Sequence, residues 1–191
     1  MIVFIALILV AAVAAAVIIQ TAEKLQQNAQ STGDDTTDEM SGKVQILNVF
    51  VDDPASDYVI YFRLAAGSDD TAANDILWQV FCEDPDGGGA GPPPVATTDR
   101  IAGDFSDGTA PTAGFGEIIP LDSDPATAVD VAEAGVAYRY SLNAVDGTDD
   151  CSPNHLFTEN IKASLYIHVV GGGSTYDVLK VNDASRGAVV V

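Results

Sequence analysis

Two histidines, two cysteines and five aspartate-rich stretches are the side chains of this 191-residue sequence whose types could carry chemistry. His168 falls on the polar side of an alternating segment and reads as a surface residue. His155 follows Pro153-Asn154 and reads as a loop residue. Neither has a serine or cysteine motif that would organise a nucleophile, since G-x-S-x-G is absent. No glycine-rich loop ends in Lys-Ser or Lys-Thr, so a phosphate cradle is not expected, and VVGGGST (Val169–Thr175) reads as a turn. The stretches DDPASD, SDDTAAND, DRIAGDFSD, LDSDPATAVD and DGTDD offer oxygen ligands that suit Ca²⁺ or Mg²⁺. None follows the spacing of an EF-hand loop, and diffuse attraction of counterions is the simpler reading. Catalytic residues, a cofactor and a dedicated metal site are therefore not expected, nor is an enzyme.

Cys82 and Cys151 stand outside any C-x-x-C motif, which argues against zinc. An even count in an exported chain points to one disulfide, with two buried thiols as the alternative. The bond would close a loop of roughly 70 residues, worth about 4 kcal/mol on the loop-entropy argument. Cys82 ends an apolar run and Cys151 lies in DGTDDCSPN, so the bond would tie a strand end to a loop at one edge.

Acidic residues number 28 and basic residues 8, for a formal charge of −20. Nucleic acid is excluded as a partner, because phosphate binding needs clustered Lys and Arg. Such a surface suits high salt, where screening shortens to roughly 3 Å near 1 M, or a well-hydrated extracellular setting. The seven asparagines, Asn28, Asn48, Asn74, Asn143, Asn154, Asn160 and Asn182, all fail the N-x-S/T pattern, so no ordinary N-glycan is expected. Ser/Thr modification in TGDDTTDEMS or GTAPTAG stays open.

Residues 43–191 read as strands. VAYRYSLNAV places Val136, Tyr138, Tyr140, Leu142 and Ala144 on one face, and IKASLYIHVV does the same for Ile161, Ala163, Leu165, Ile167 and Val169. This period of two marks half-buried antiparallel strands. YVIYFRLA turns Tyr58, Ile60, Phe62 and Leu64 inward, and ILWQVFC turns Ile76, Trp78, Val80 and Cys82 inward. KVQILNVFV, YDVLKV and GAVVV bring the candidates to seven, which predicts an antiparallel β-sandwich of immunoglobulin-like kind. EDPDGGGAGPPP (Glu83–Pro94) reads as a surface loop.

The first 33 residues are of another character. MIVFIALILVAAVAAAVII carries no charge, and no Lys or Arg precedes it, unlike a secretory signal. It is long enough to span a bilayer but lacks a basic flank. Helix formers continue to Gly33, with Ile18, Ala22, Leu25 and Ala29 on one narrow stripe. The spacing predicts a helix from about residue 2 to residue 30, Gly33 as its C-terminal cap and 34–42 as a hinge. A helix apolar on all faces must be buried on all faces, by lipid or by copies of itself. Ala11, Ala12, Ala14, Ala15 and Ala16 favour copies, because small residues let helix backbones approach closely.

The segment IVFIALILVAAVAAAVIIQTAEKLQQNAQSTG resembles the N-terminus of archaeal flagellins (archaellins), the type IV pilin-like subunits of the archaellum. The resemblance covers residues 2–33 and rests on the IVFIA start, the VAAVAA stretch, LQQ and the terminal TG. It implies a short basic leader removed by a dedicated peptidase, a polymerisation helix, and the same outer sandwich. Ile2, Phe4, Leu7, Ala11, Ala12, Ala15, Ile18, Ala22 and Leu25 would then be helix-core residues. The implied partners are further copies of the chain, related archaellins, the membrane before assembly, and the archaellum motor and export machinery. The implied location is the cell surface of an archaeon. An adhesive pilin of the same superfamily, or a membrane-anchored sandwich that never polymerises, stays open at this point.

Overall fold

The structure, a computed structural model, describes residues 1–85, 96–106, 118–122, 127–147 and 149–190. The chain forms two compact units, Met1–Asp38 and Glu39–Val191. The expected GTAPTAG modification stretch and most of the glycine- and proline-rich loop lie outside the described residues.

The first unit is helical. Helix α1 spans Ile2–Ser41 without a break, 40 residues and about 60 Å at 1.5 Å per residue. The expected stop at Gly33 and hinge at 34–42 are therefore corrected, because the helix passes Gly33 and continues to Ser41. Gly33 is not among the glycines with positive φ, so it does not act as a left-handed cap. A glycine inside a helix costs only roughly 0.5–1 kcal/mol relative to alanine, which one continuing turn of backbone hydrogen bonds can offset. The threonines that follow also bond within the helix: Thr36 Oγ1 donates to the Thr32 carbonyl at 2.7 Å and Thr37 Oγ1 to that of Gly33 at 2.9 Å.

The second unit is a two-layer antiparallel β-sandwich. Its long strands are β1 (Val44–Asp53), β2 (Asp57–Leu64), β3 (Ile76–Asp84), β4 (Thr97–Asp104), β5 (Ala137–Asn143), β6 (Lys162–Val169) and β7 (Ser174–Lys180). One sheet has the order β1-β2-β5, closed at its far side by the short strand Ile119–Pro120. The other has the order β7-β6-β3-β4. The inward sets read from the alternation meet between the layers. Tyr58, Ile60, Phe62, Leu64, Tyr138, Tyr140 and Leu142 come from one sheet, and Ile76, Trp78, Val80, Ala163, Leu165 and Ile167 from the other. All are buried, and each large aliphatic side chain taken from water contributes about 1.5–3 kcal/mol.

Aromatic contacts cross the core. Phe105 packs edge-on against Phe62 at 4.7 Å and stacks on Tyr140 at 4.4 Å. The Trp78 indole donates to the Tyr140 hydroxyl at 3.2 Å, and that hydroxyl donates to the Asp104 carbonyl at 2.9 Å. Gly103 makes room for this indole, since a Cβ there would lie 2.8 Å from Trp78 Cζ2.

Two of the strand expectations differ from the structure. GAVVV is not a ladder strand: it meets β1 through one bridge, Phe50 to Val189, and three backbone hydrogen bonds, Gly187 N–H to the Val51 carbonyl at 2.7 Å, Val51 N–H to the Ala188 carbonyl at 2.9 Å and Val190 N–H to the Val49 carbonyl at 2.9 Å. In its place β4 completes the second sheet, paired with β3 from Leu77–Asp104 to Asp84–Thr97. The expected loop at Glu83–Pro94 also begins later, because Glu83 and Asp84 still pair in β3.

Candidate assembly interface

Helix α1 holds every sequence-predicted helix residue. Ile2, Phe4, Leu7, Ile18 and Leu25 are 85%, 74%, 62%, 66% and 69% exposed. Ala11, Ala12, Ala15 and Ala22 are exposed as well. Phe4, Leu7, Ala11, Ala15, Ile18, Ala22, Leu25 and Ala29 follow one another at spacings of three, four, four, three, four, three and four. At 100° per residue they fall within an arc of about 80°. Ile2 and Ala12 lie off that arc, on a stretch that is apolar all round. The stripe thus runs from the all-apolar part into the polar part of the helix. By length and composition the helix is also able to cross a membrane.

The sandwich is tied internally. Cys82 and Cys151 form a disulfide, with both residues buried. The bond is not at an edge, as expected, but in the interior. Cys82 sits in β3 with neighbours on both sides, opposite Ala163 of β6 and Asp99 of β4. Cys151 belongs to the segment after β5: its N–H donates to the Ala144 carbonyl at 2.9 Å, and its own carbonyl accepts from the Tyr58 hydroxyl at 3.0 Å. The bond therefore links the two layers. Burial pushes the Tyr58 phenol up, which keeps it a neutral donor.

Helix α2 (Pro153–Glu159) begins beside this bond. His155 is therefore helical, not a loop residue. Ser152 caps the helix by accepting from the His155 N–H at 3.2 Å, Pro153 occupies the first turn, and Asn160 closes it at φ 52°. His168 is exposed, as expected, with Nδ1 2.9 Å from Ser174 Oγ. Among the described residues, no three His, Cys, Asp or Glu side chains come together as a metal-holding group.

One feature went unforeseen. Phe81, Tyr166 and Tyr176 form a continuous aromatic row across β3, β6 and β7 on the outer face of the second sheet, with ring centroids 5.7 and 4.9 Å apart. Beside it lies a hollow of about 580 Å³ lined by Leu77, Gln79 and His168 among others. Each aromatic falls on the outward parity of its own strand. The signal was present, but assembling it requires the cross-strand register.

Comparison with known proteins agrees with this architecture. Residues 1–154 match the model of the archaeal-type flagellin family. The chain is 60% identical over 50 residues to Flagellin B4 of Pyrococcus abyssi, covering 26% of this chain and 23% of that one. It is 28% identical over 187 residues to Flagellin B1 of Natrialba magadii, covering 93% of this chain and 71% of the relative. In fold it is similar to the solved archaeal flagellum of Methanospirillum hungatei, with a TM-score of 0.54 at 16% identity over 100% of this chain and 96% of that one. A long exposed apolar helix, a sandwich following it in the sequence and a family match over most of the length converge: the chain belongs to the archaeal-type flagellin family.

Proposed function

We propose that this chain is a structural subunit of the archaellum, the rotating surface filament that propels archaeal cells, and that its role is mechanical rather than catalytic. The α1 helices of many copies bundle into the filament core, and the sandwiches coat it outside the cell. The observation that carries this reading is α1 itself, apolar on all faces from Ile2 to Ile19 and exposed on all of them. Water rejects such a surface at about 25 cal/mol per Å². Membership of a flagellin family supports the filament as what covers it.

Before assembly the same helix rests in the membrane, which its length permits. Transfer from lipid to bundle exchanges one apolar setting for another. Close packing at Ala11, Ala12, Ala15 and Ala22 supplies the preference. The partners are further copies of this chain and related archaellins, with a membrane-bound motor and export machinery at the base.

Replacing Ala12 or Ala15 by Leu adds three heavy atoms at a close helix contact, an overpacking cost of about 1–3 kcal/mol per subunit. Repeated along the filament, this is expected to stop growth. The sandwich should stay folded, as read by fluorescence of Trp78, the chain's single tryptophan. Filaments of normal length from both variants would refute the packing role.

A further inference from the structure

The outer face of the second sheet is unlike the rest of this acidic surface. Register places Lys162 beside Lys180 and Arg100 beside Phe81 on that face, with Tyr166 beside Tyr176 in the next rows. Three of the chain's eight basic residues therefore share it, against two acids, Glu83 and Asp104. Its aromatics are open to solvent, Tyr166 at 43% and Tyr176 at 54%, and the hollow of about 580 Å³ lies beside them.

The end of the sandwich away from Lys162 and Lys180, where β3 begins, has the complementary character. The connection from β2 to β3 carries Asp69 and Asp70 there, and Asp130 and Glu133 lie beside it. All four are exposed. The Asp70 carboxylate touches the Ala134 N–H at 3.4 Å, which holds the two connections together.

We propose that the aromatic, basic outer face of β7-β6-β3-β4 is a lateral contact that receives the Asp69–Asp70 end of a second copy of this chain. Two copies, each carrying −20, repel wherever acid meets acid. A face with more bases than acids is where a like-charged neighbour can approach, and its exposed rings supply apolar area for it to cover. The contact joins unlike surfaces, so it is heterologous and propagates as an open helix instead of closing into a pair. The proposal rests on the filament reading and adds which surfaces of the outer domains hold neighbours together.

A charge exchange tests it in filaments of the full chain. The pair Lys162→Glu with Lys180→Glu, and the pair Asp69→Lys with Asp70→Lys, are each expected to reduce the chain recovered in filaments after shearing by about tenfold, one factor of ten per 1.4 kcal/mol. All four substitutions together restore the attraction with its sign reversed and should return recovery to within about twofold of wild type. Trp78 fluorescence checks that each variant is folded.

Lysine acetylation gives a second readout with no substitution. Lys162 and Lys180 should label about tenfold more slowly in filaments than in dissociated subunits, as for a contact occupied about nine-tenths of the time. Equal labelling in the two states, wild-type recovery from either pair, or no rescue by the fourfold variant overturns the proposal while leaving the filament intact. Failure of the wild-type chain to enter filaments at all overturns the filament reading, and this contact with it.

Discussion

Removing the Cys82–Cys151 bond should cost the sandwich a large share of its stability. The two residues are 69 apart in sequence, and the cross-link denies the unfolded chain the freedom of that loop. The loop-entropy relation gives an entropy of about 15 cal/mol/K, or about 4 kcal/mol at 25 °C. A domain of this size has about 5–15 kcal/mol in total. For a chain in this size range each kcal/mol moves the melting midpoint by roughly 2–4 °C, so the midpoint should fall by roughly 8–16 °C. The assay is denaturant and thermal unfolding of the detergent-dispersed chain, followed by Trp78 fluorescence. Trp78 is buried in the sandwich core and reports that unit without interference from α1. Two samples separate the causes. Reduced wild type loses the cross-link and keeps both sulfurs, whereas Cys82→Ala with Cys151→Ala also leaves a small cavity between buried neighbours, so it should be the less stable of the two. A loss below about 1 kcal/mol in both would refute the claim that this bond constrains the unfolded chain.

Two further substitutions probe α1 and the buried carboxylate. Gly33→Ala, at a position where an added Cβ meets nothing within 4 Å, should raise helicity by circular dichroism and gain about 0.5–1 kcal/mol; a loss would mean that Gly33 caps the helix in a left-handed conformation. Asp57 is held above the usual carboxylate range by burial first, with Asp53 and Asp52 adding to the effect and a Ser56 hydrogen bond opposing it. A raised folded value favours the protonated native state, so its contribution is full below the unfolded value of about 3.9 and is lost as pH rises through the folded one. Asp57→Asn should therefore melt above wild type at pH 7, with the gap narrowing as pH falls through the raised folded value and closed below about 3.9. A gap independent of pH would contradict the assignment.

What could be read from the residues alone depended on how much each segment said locally. β2, β3, β5 and β6 alternate cleanly, and the inward residues named from them are buried, except Val136 and Ile161, which lie just outside the strands and are partly buried against the core. β4 did not show itself, because TTDRIAGD buries Ile101 with Asp99 beside it and leaves Gly103 against the Trp78 ring. Its strand character comes from pairing with β3, a tertiary cause. α2 carried a legible signal, Ser152 followed by Pro153, that its seven residues made easy to pass over. Gly33 misled in the other direction, since a stop signal is a preference of under about 1 kcal/mol and the threonines beyond it bond helically. The stripe on α1 was legible from its spacing. The aromatic row on the outer face was not, because Phe81, Tyr166 and Tyr176 become neighbours only through the register of three strands.

The central claim is that α1 is the core of a polymer. Electron microscopy of filaments sheared from cells that make this chain as their only flagellin, carried to helical resolution, tests it most directly. The expected result is a central bundle of helices about 60 Å long, the α1 helices of successive subunits, surrounded by the sandwiches. A chain recovered from the membrane as dispersed copies, or a filament with α1 outside its core, would contradict it.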